Sequence, residues 1–324
     1  MPLILCDISA LEFWRACNRR SFVVSERPTT PRRNAACWHK PLPSRIEELR
    51  EKHLPFLSDP VHLYVPDAET RCRSDRLRCH IWPEKLPRGS FAQIADDVFV
   101  SRPEPCIIWA ARHMHFAQAV LVGLELCGTY RLPVGNRPTT YQVPPLTSST
   151  ALSSFVGKAS GVHGSADATR ALRYIVDGSE SPMESILFEL ISFPLRIGGR
   201  GLRMPKLNYR LKTTSAIRKA TGKSSFRCDM FWPEAGVAVE YDSNERHTGP
   251  ENISDDATRR AALMSLGIEV VTVTHRQIQN INEFNIVVHT PETLLGMRRQ
   301  PTKKQWHEKE LELRAAILSN KPHR

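Results

Sequence analysis

The chain has 324 residues, of which 41% are hydrophobic, and it carries a formal net charge of +11 at pH 7. The hydrophobic fraction is ordinary for a folded protein with a buried core, and no apolar run is long enough to span a membrane. The start of the sequence lacks the segments of a secretory signal peptide, and the eight cysteines show neither a C-x-x-C pair nor clustered Cys/His spacing. We therefore expect no membrane partner, no structural zinc, reduced thiols, a cytoplasmic location and two domains.

Residues 1–133 are predicted to form a mixed α/β region. Pro103 can open a helix that runs to about His115, and a second helix follows and ends before Gly128. The Arg- and Cys-rich segment 71–80 is interpreted as a solvated loop, with nucleic-acid binding as the alternative. The other predicted elements are a helix at 10–17, a strand at 62–65 and paired strand segments at 91–101.

Residues 134–179 are predicted to be a linker with short helices. The stretch 133–150 is rich in Pro, Ser and Thr, which is typical of an extended surface segment. Short helices are predicted at 151–156 and 165–176.

From residue 180 the pattern predicts the order α-β-β-β-α-β. Ser181-Pro182-Met183-Glu184 has the form of a capping box with proline at the first helical position. Ser254 is predicted to cap a later helix that ends at Gly267. Strands are predicted at 208–211, within a hairpin at 226–242, and at 268–274. A charged helix is predicted within the last segment, 298–324.

The hairpin brings acidic residues together. Pairing Trp232 with Val237 across the turn places Asp229 opposite Glu240, and Asp242 shares the face of Glu240 because side chains alternate along a strand. Facing carboxylates repel each other, and a fold accommodates them when a divalent cation or a shared proton lies between them. The pattern predicts a metal site formed by Asp229, Glu240 and Asp242. Alternatively, Asp229 and Glu240 are exposed strand residues paired with Arg227 or Arg246.

A basic stretch leads directly into this hairpin. No Asp or Glu occurs from Leu190 to Cys228, whereas ten Lys and Arg residues do. A positive track beside carboxylates suits a polyanion such as DNA; the alternative is a solvated face without a ligand. The candidate nucleic-acid-binding residues are Arg210, Lys212, Arg218, Lys219, Lys223, Arg227 and Arg260.

These features together resemble the PD-(D/E)XK nuclease superfamily, and within it the small domains related to very-short-patch repair endonucleases. The likeness covers about residues 180–297. It implies a restriction-endonuclease-like core with a mixed central sheet and hydrolysis of DNA phosphodiester bonds with Mg²⁺ or Mn²⁺, with Asp229 and Glu240 as metal ligands. The matching residues are Ser181-Pro182-Met183-Glu184, Asp229, Trp232-Pro233, Val239-Glu240-Tyr241-Asp242-Ser243, His247, Asp256, Arg259-Arg260, Leu263, Gly267 and Thr274.

The chain departs from the superfamily pattern at one position. The usual lysine two residues after the Glu is replaced by Asp242. The general base could then be His247 or a metal-bound water, and Asp242 could be a ligand to the same or a second ion. The candidate catalytic residues are therefore Glu184, Asp229, Glu240, Asp242 and His247. Plainer interpretations are a surface role for His247, a capping role for Glu184 and an intrahelical ion pair for Arg259.

Three functions compete at this stage. The first is a metal-dependent DNA endonuclease in defence or repair, for which cutting both strands would usually call for two active sites and hence a homodimer. The second is a non-catalytic DNA-binding regulator of antitoxin type built on a degenerate nuclease fold, which the missing lysine and the basic stretch 196–227 both fit. The N-terminal part also resembles abortive-infection antitoxins. The third is a protein-interaction module that uses the C-terminal helix around Trp306.

Overall fold

The computed structural model describes residues 2–17, 40–242, 250–297 and 304–318. The chain divides into two compact units, Met1–Asp177 (unit 1) and Gly178–Arg324 (unit 2). None of the helices described has the length and apolar composition needed to cross a membrane.

Unit 1 is built around a six-stranded mixed sheet with the order β3-β4-β2-β1-β6-β5. Strand β1 is buried along its whole length and pairs parallel with β6 and antiparallel with β2. The elements of unit 1 are β1 (Leu3–Leu5), α1 (Asp7–Ala16), α2 (Pro43–Lys52), β2 (Val61–Val65), β3 (Arg73–Ser74), β4 (Leu77–Ile81), β5 (Phe91–Ala95), β6 (Val98–Ser101), α3 (Pro103–His113), α4 (Phe116–Leu126), β7 (Tyr130–Arg131), β8 (Thr140–Tyr141), α5 (Ser149–Lys158) and α6 (Ser165–Ala171).

Two predictions for unit 1 need correction. Segment 71–80 is not a loop: it contains β3 and most of β4, and β4 pairs parallel with β2 and buries Leu77. Segment 134–179 contains the predicted short helices, but α5 and α6 pack on α3 within unit 1 up to Asp177. Apolar residues such as Leu152 and Val156 drive this packing, because they are buried along one face of α5.

Unit 2 contains a four-stranded sheet with the order β12-β11-β10-β9. Strands β11 and β12 are parallel, whereas β10 is antiparallel to both of its neighbours. The α/β class with a mixed sheet is therefore confirmed. The elements of unit 2 are α7 (Pro182–Ser192), β9 (Lys206–Lys212), α8 (Ser215–Thr221), β10 (Ser225–Trp232), β11 (Val237–Asp242), α9 (Pro250–Ser265), β12 (Glu269–Thr274), α10 (His275–Gln279), α11 (Ile281–Leu294) and α12 (Lys304–Leu318).

Three helical features of unit 2 differ from the prediction. Helix α8 interrupts the basic stretch; Thr214 Oγ1 caps it by accepting the Ile217 N–H at 3.3 Å. Helix α9 begins at Pro250, so Ser254 lies inside the helix instead of capping it. Helices α10 and α11 follow β12 as additions to the predicted order.

The turn between β10 and β11 fixes the register of the acidic hairpin. Gly236 has φ of 63°, which a side chain disfavours. A Cβ atom at this position would lie 2.7 Å from the carbonyl oxygen of Gly267, two residues beyond the end of α9. The Glu269 N–H donates to Gly236 O at 2.8 Å, so the turn is also tied to the start of β12.

We predict that Gly236→Ala destabilises unit 2 more than Gly222→Ala does. Both glycines have positive φ, which costs an alanine about 1–2 kcal/mol. Gly222 has nothing within 4 Å of the added Cβ, whereas Gly236 meets backbone. Hydrogen exchange of β10 amides in increasing denaturant measures both effects. Equal losses of stability in the two variants would contradict the packing of this turn.

Candidate active site: carboxylates around strand β10

The predicted register of the hairpin is confirmed. Trp232 is the Cα partner of Val237, and the pairing continues to Met230 and Val239. Asp229 is the next residue of β10, and Glu240 is the next residue of β11. Asp229 and Glu240 therefore lie at the same level of the hairpin, as the residue count predicts.

Asp229 binds the neighbouring strand through its side chain. Its Oδ2 accepts the backbone N–H of Tyr241 at 2.9 Å. On the other side, β9 pairs on both flanks of this level, with Tyr209 opposite Cys228 and Leu207 opposite Met230. Asp229 thus lies between two paired positions of β9 and β10.

Glu184 reaches this region from the first turn of α7. Its backbone N–H donates to Ser181 Oγ at 3.1 Å, which confirms the predicted cap. Its Oε2 accepts the Glu180 N–H at 3.1 Å and Asn208 Nδ2 at 2.8 Å. The carboxylate therefore does not complete a reciprocal capping box with Ser181 but is held by the preceding residue and by β9.

Asn208 is a residue that the sequence analysis missed. It has φ of 48° within β9, a left-handed conformation that asparagine tolerates better than most residues. Its Nδ2 donates to both Glu184 Oε2 and Gly178 O at 2.8 Å. The sequence signal was weak, since one Asn in a strand-like run indicates only a local irregularity.

Glu240 is paired with Arg259, which lies on α9. Arg259 Nη1 donates to Glu240 Oε2 at 2.7 Å, and its Nη2 donates to Glu240 Oε1 and, at 2.7 Å, to the carbonyl oxygen of Arg227. The main side-chain partner of Arg259 is thus Glu240 on β11, not a residue of its own helix. Arg227 pairs instead with Glu180 at 2.5 Å.

Burial and neighbouring charges raise the proton affinity of Asp229 and Glu184. Burial, followed by the charges of Glu184 and Glu240, raises the pKa of Asp229 from 3.8 to about 7, against the opposing Tyr241 N–H and Arg227 charge. Burial also raises the pKa of Glu184, although Asn208 and the Glu180 N–H oppose the shift. At neutral pH, Asp229 is therefore poised to gain or lose a proton.

The remaining predicted site residues are placed as follows. Asp242 is half-buried at the end of β11, where its Cα partner is Thr274 of β12. His247 lies outside the described residues. Within the described parts of the chain, no trio drawn from Glu184, Asp229, Glu240 and Asp242 has its ligand oxygens all within 4.8 Å of one another. The proposed ligand set of Asp229, Glu240 and Asp242 stays a prediction.

The seven predicted nucleic-acid-binding side chains are all exposed. Arg210 of β9 and Arg227 of β10 are direct Cα partners, so two positive side chains face each other across the strands. Like charges in this arrangement destabilise a sheet. Arg227 also shares the face of Asp229, two residues further along β10. The basic pair therefore borders the carboxylates. Lys212 is on β9, Arg218 and Lys219 are on α8, Lys223 follows α8, and Arg260 is on α9.

Part of the chain is similar to two mycobacterial proteins. The chain is 35% identical over 107 residues to each of two uncharacterized proteins of Mycobacterium tuberculosis, MT2308 and Rv2248. The aligned segment covers 33% of this chain and 35% of each relative, so the chain spans about a third of the length of the curated relatives it matches. No family model matches the chain, and no solved structure matches it.

We predict that Asp229→Asn stabilises unit 2 increasingly as pH rises from about 4 to 7. Because the folded pKa is about 7 and the unfolded pKa about 3.9, the folded state keeps a proton that the unfolded state releases in this window. Wild-type stability therefore falls with pH, and the variant avoids a penalty of up to about 4 kcal/mol, at about 1.4 kcal/mol per tenfold change in proton affinity.

Denaturant unfolding at pH 5 and pH 8, read from hydrogen exchange in β10, measures this difference. Asp255→Asn, at an exposed position on α9, is the matched control. A stability difference between Asp229→Asn and wild type that does not change with pH would show that Asp229 does not feel the neighbouring acids.

Proposed function

We propose that unit 2 is a divalent-metal-dependent DNA endonuclease. The observation that carries the proposal is the position of Asp229, which burial and two neighbouring carboxylates hold near a neutral pKa beside a pair of exposed arginines. Buried carboxylates with strongly raised pKa values are expected at functional sites more often than at purely structural positions. The resemblance to the PD-(D/E)XK superfamily supports the same chemistry for Asp229 and Glu240.

The donor types suit a hard divalent cation, although among the described residues no three of these acids bring their ligand oxygens within 4.8 Å of one another. Carboxylate oxygens are the ligands that Mg²⁺ and Mn²⁺ prefer, and a cation would relieve the repulsion that raises the pKa of Asp229. Asp229, Glu240 and Asp242 would hold the ion. Glu184 would lie next to it, oriented by Asn208. A bound ion would supply charge neutralisation at the phosphate and acidify a bound water.

The protein's own groups have separate tasks in this proposal. Arg210 and Arg227 bind the phosphate backbone, since their mutual repulsion falls when an anion lies between them. Arg259 fixes Glu240 against the sheet, because both of its guanidinium donors face the carboxylate. Asp242 stands where the superfamily has a lysine, so this chain must obtain its base elsewhere; His247 and a metal-bound water are the candidates from the sequence.

The alternative proposal is a non-catalytic DNA-binding regulator. It is favoured by a specific contact: Arg259 already satisfies both oxygens of Glu240, as a cation would. Arg259 then serves as a permanent replacement for the metal, and the basic strands serve only to bind phosphate.

We predict that the purified chain cleaves DNA in Mg²⁺ or Mn²⁺ and that Asp229→Ala and Glu240→Ala each lower the rate at least about a hundredfold, as expected for loss of an electrostatic catalytic group. Glu234→Ala, in the exposed turn of the same hairpin, is the control and should keep full activity. Single-stranded, nicked, mismatched and duplex substrates are tested with both metals. Intact substrates in every case, with DNA binding preserved, would favour the regulator.

We also predict that Arg210→Gln weakens DNA binding and lowers the slope of log affinity against log salt by about one, because one phosphate contact is lost. Lys158→Gln, an exposed basic site on α5, serves as the control for net charge. Removing Arg210 also removes a like-charged cross-strand neighbour, so stability should not fall. Unchanged affinity and salt slope would indicate that this basic pair is a solvated face without a DNA ligand.

A further inference from the structure

Unit 1 contains a second cluster of ionisable groups, unrelated to the carboxylates of unit 2. Cys6, Asp7 and His80 each offer one ligand atom, and these atoms all lie within 4.8 Å of one another. Cys6 and Asp7 are buried, whereas the His80 side chain is 28% exposed. Cys6 and Asp7 join β1 to α1, and His80 lies on β4. The separation of these elements along the chain explains why cysteine spacing gave no sign of the cluster.

His62 lies beside two members of this cluster, although it is not in the group whose ligand atoms all lie within 4.8 Å of one another. His80 Nε2 lies 3.2 Å from Asp7 Oδ2 and 3.0 Å from His62 Nδ1, and His62 Nδ1 lies 3.8 Å from the same Asp7 oxygen. The two imidazoles are stacked with ring centroids 4.9 Å apart. One ring N–H can point at only one of two acceptors, so a single proton on His80 Nε2 does not satisfy both contacts well.

These separations are close to those between ligands of a tetrahedral ion. Ligand bonds of about 2.0–2.3 Å give tetrahedral edges of roughly 3.3–3.8 Å. The three contacts among Asp7, His62 and His80 fall at or just below this range. A mixed set of thiolate, imidazole and carboxylate donors suits zinc-class ions better than Mg²⁺.

The backbone at Asp7 supports a functional reading of the cluster. Asp7 has φ of 51°, a left-handed conformation at the first residue of a helix. Such strain in a residue other than glycine is typical of sites where a side chain must be held in one direction. Here the strained residue directs its carboxylate towards His80 and His62.

The surrounding hydrogen bonds hold the donors in place. The Cys6 N–H donates to His62 O at 3.0 Å, and the His62 N–H donates to Ser9 Oγ at 2.9 Å. Burial lowers the pKa of His80, although the charge of Asp7 opposes the shift. Burial and Asp7 raise the pKa of the Cys6 thiol, so this cysteine is a poor free nucleophile.

We propose that unit 1 binds one divalent transition-metal ion of the zinc class through Cys6 Sγ, a carboxylate oxygen of Asp7 and His80 Nε2, with His62 Nδ1 next to the Asp7 and His80 donors. Binding displaces the Cys6 thiol proton to solvent, since thiolate is the ligand form. The ion would join the start of α1 to strands β2 and β4. This site is independent of the function proposed for unit 2.

The test uses the full chain stripped of metal and then titrated with Co²⁺ and Zn²⁺. We expect one tightly bound ion per chain and a thiolate-to-cobalt charge-transfer band in the near ultraviolet. Cys6→Ala should abolish that band. Cys6→Ala and His80→Gln should each weaken binding at least about a hundredfold, because loss of an outer-shell partner alone typically costs 10–100-fold. Cys79→Ala, next to His80 on β4, is the control and should bind like wild type.

X-ray absorption of the zinc-loaded wild type provides a measurement that needs no variant. The expected first shell has one sulfur at about 2.3 Å and nitrogen or oxygen at about 2.0–2.1 Å. Absence of sulfur from that shell, a charge-transfer band retained in Cys6→Ala, or no tight binding of either ion would overturn the proposal. Asp229→Asn should leave the bound zinc unchanged, which separates this site from the carboxylates of unit 2.

Discussion

The contact between Arg259 and Glu240 is the interaction on which the candidate site of unit 2 depends. One guanidinium joins α9 to the side chain of β11 and to the backbone of β10. It also neutralises one of three carboxylates that would otherwise repel each other around Asp229. A helix, two strands and the charge balance of the acidic cluster are thus fixed by one side chain, because planar Arg can donate in several directions at once.

The contact between Arg259 and Glu240 has a different role in each of the two functions proposed for unit 2. In the endonuclease proposal, Arg259 orients Glu240 and a cation shares the carboxylate with it. In the regulator proposal, the guanidinium has taken over the position of the cation, and the neighbouring arginines keep only their affinity for phosphate. Both proposals use the same sheet geometry. They differ in whether Glu240 can bind a metal ion while its carboxylate is paired with Arg259.

The sequence predicted local features of the site well, because short-range rules determine them. Alternation and the Pro233–Gly236 turn fixed the register that brings Asp229 level with Glu240, and Ser181 capped α7 as expected. Prediction failed where a side chain crosses between distant elements. The partner of Arg259, the amide of Asn208 and the cluster of Cys6, Asp7 and His80 all depend on tertiary packing, which periodicity and motif spacing do not encode.

The side-chain amide of Asn208 connects the start of unit 2 to an acidic residue of the candidate site. It holds the carboxylate of Glu184 and, with the same nitrogen, the carbonyl of Gly178, the first residue of unit 2. The backbone at the start of unit 2 is therefore connected to the carboxylate of Glu184 through the side-chain amide of Asn208. A shift of the backbone at Gly178 would therefore move the Asn208 amide and, through it, the carboxylate of Glu184.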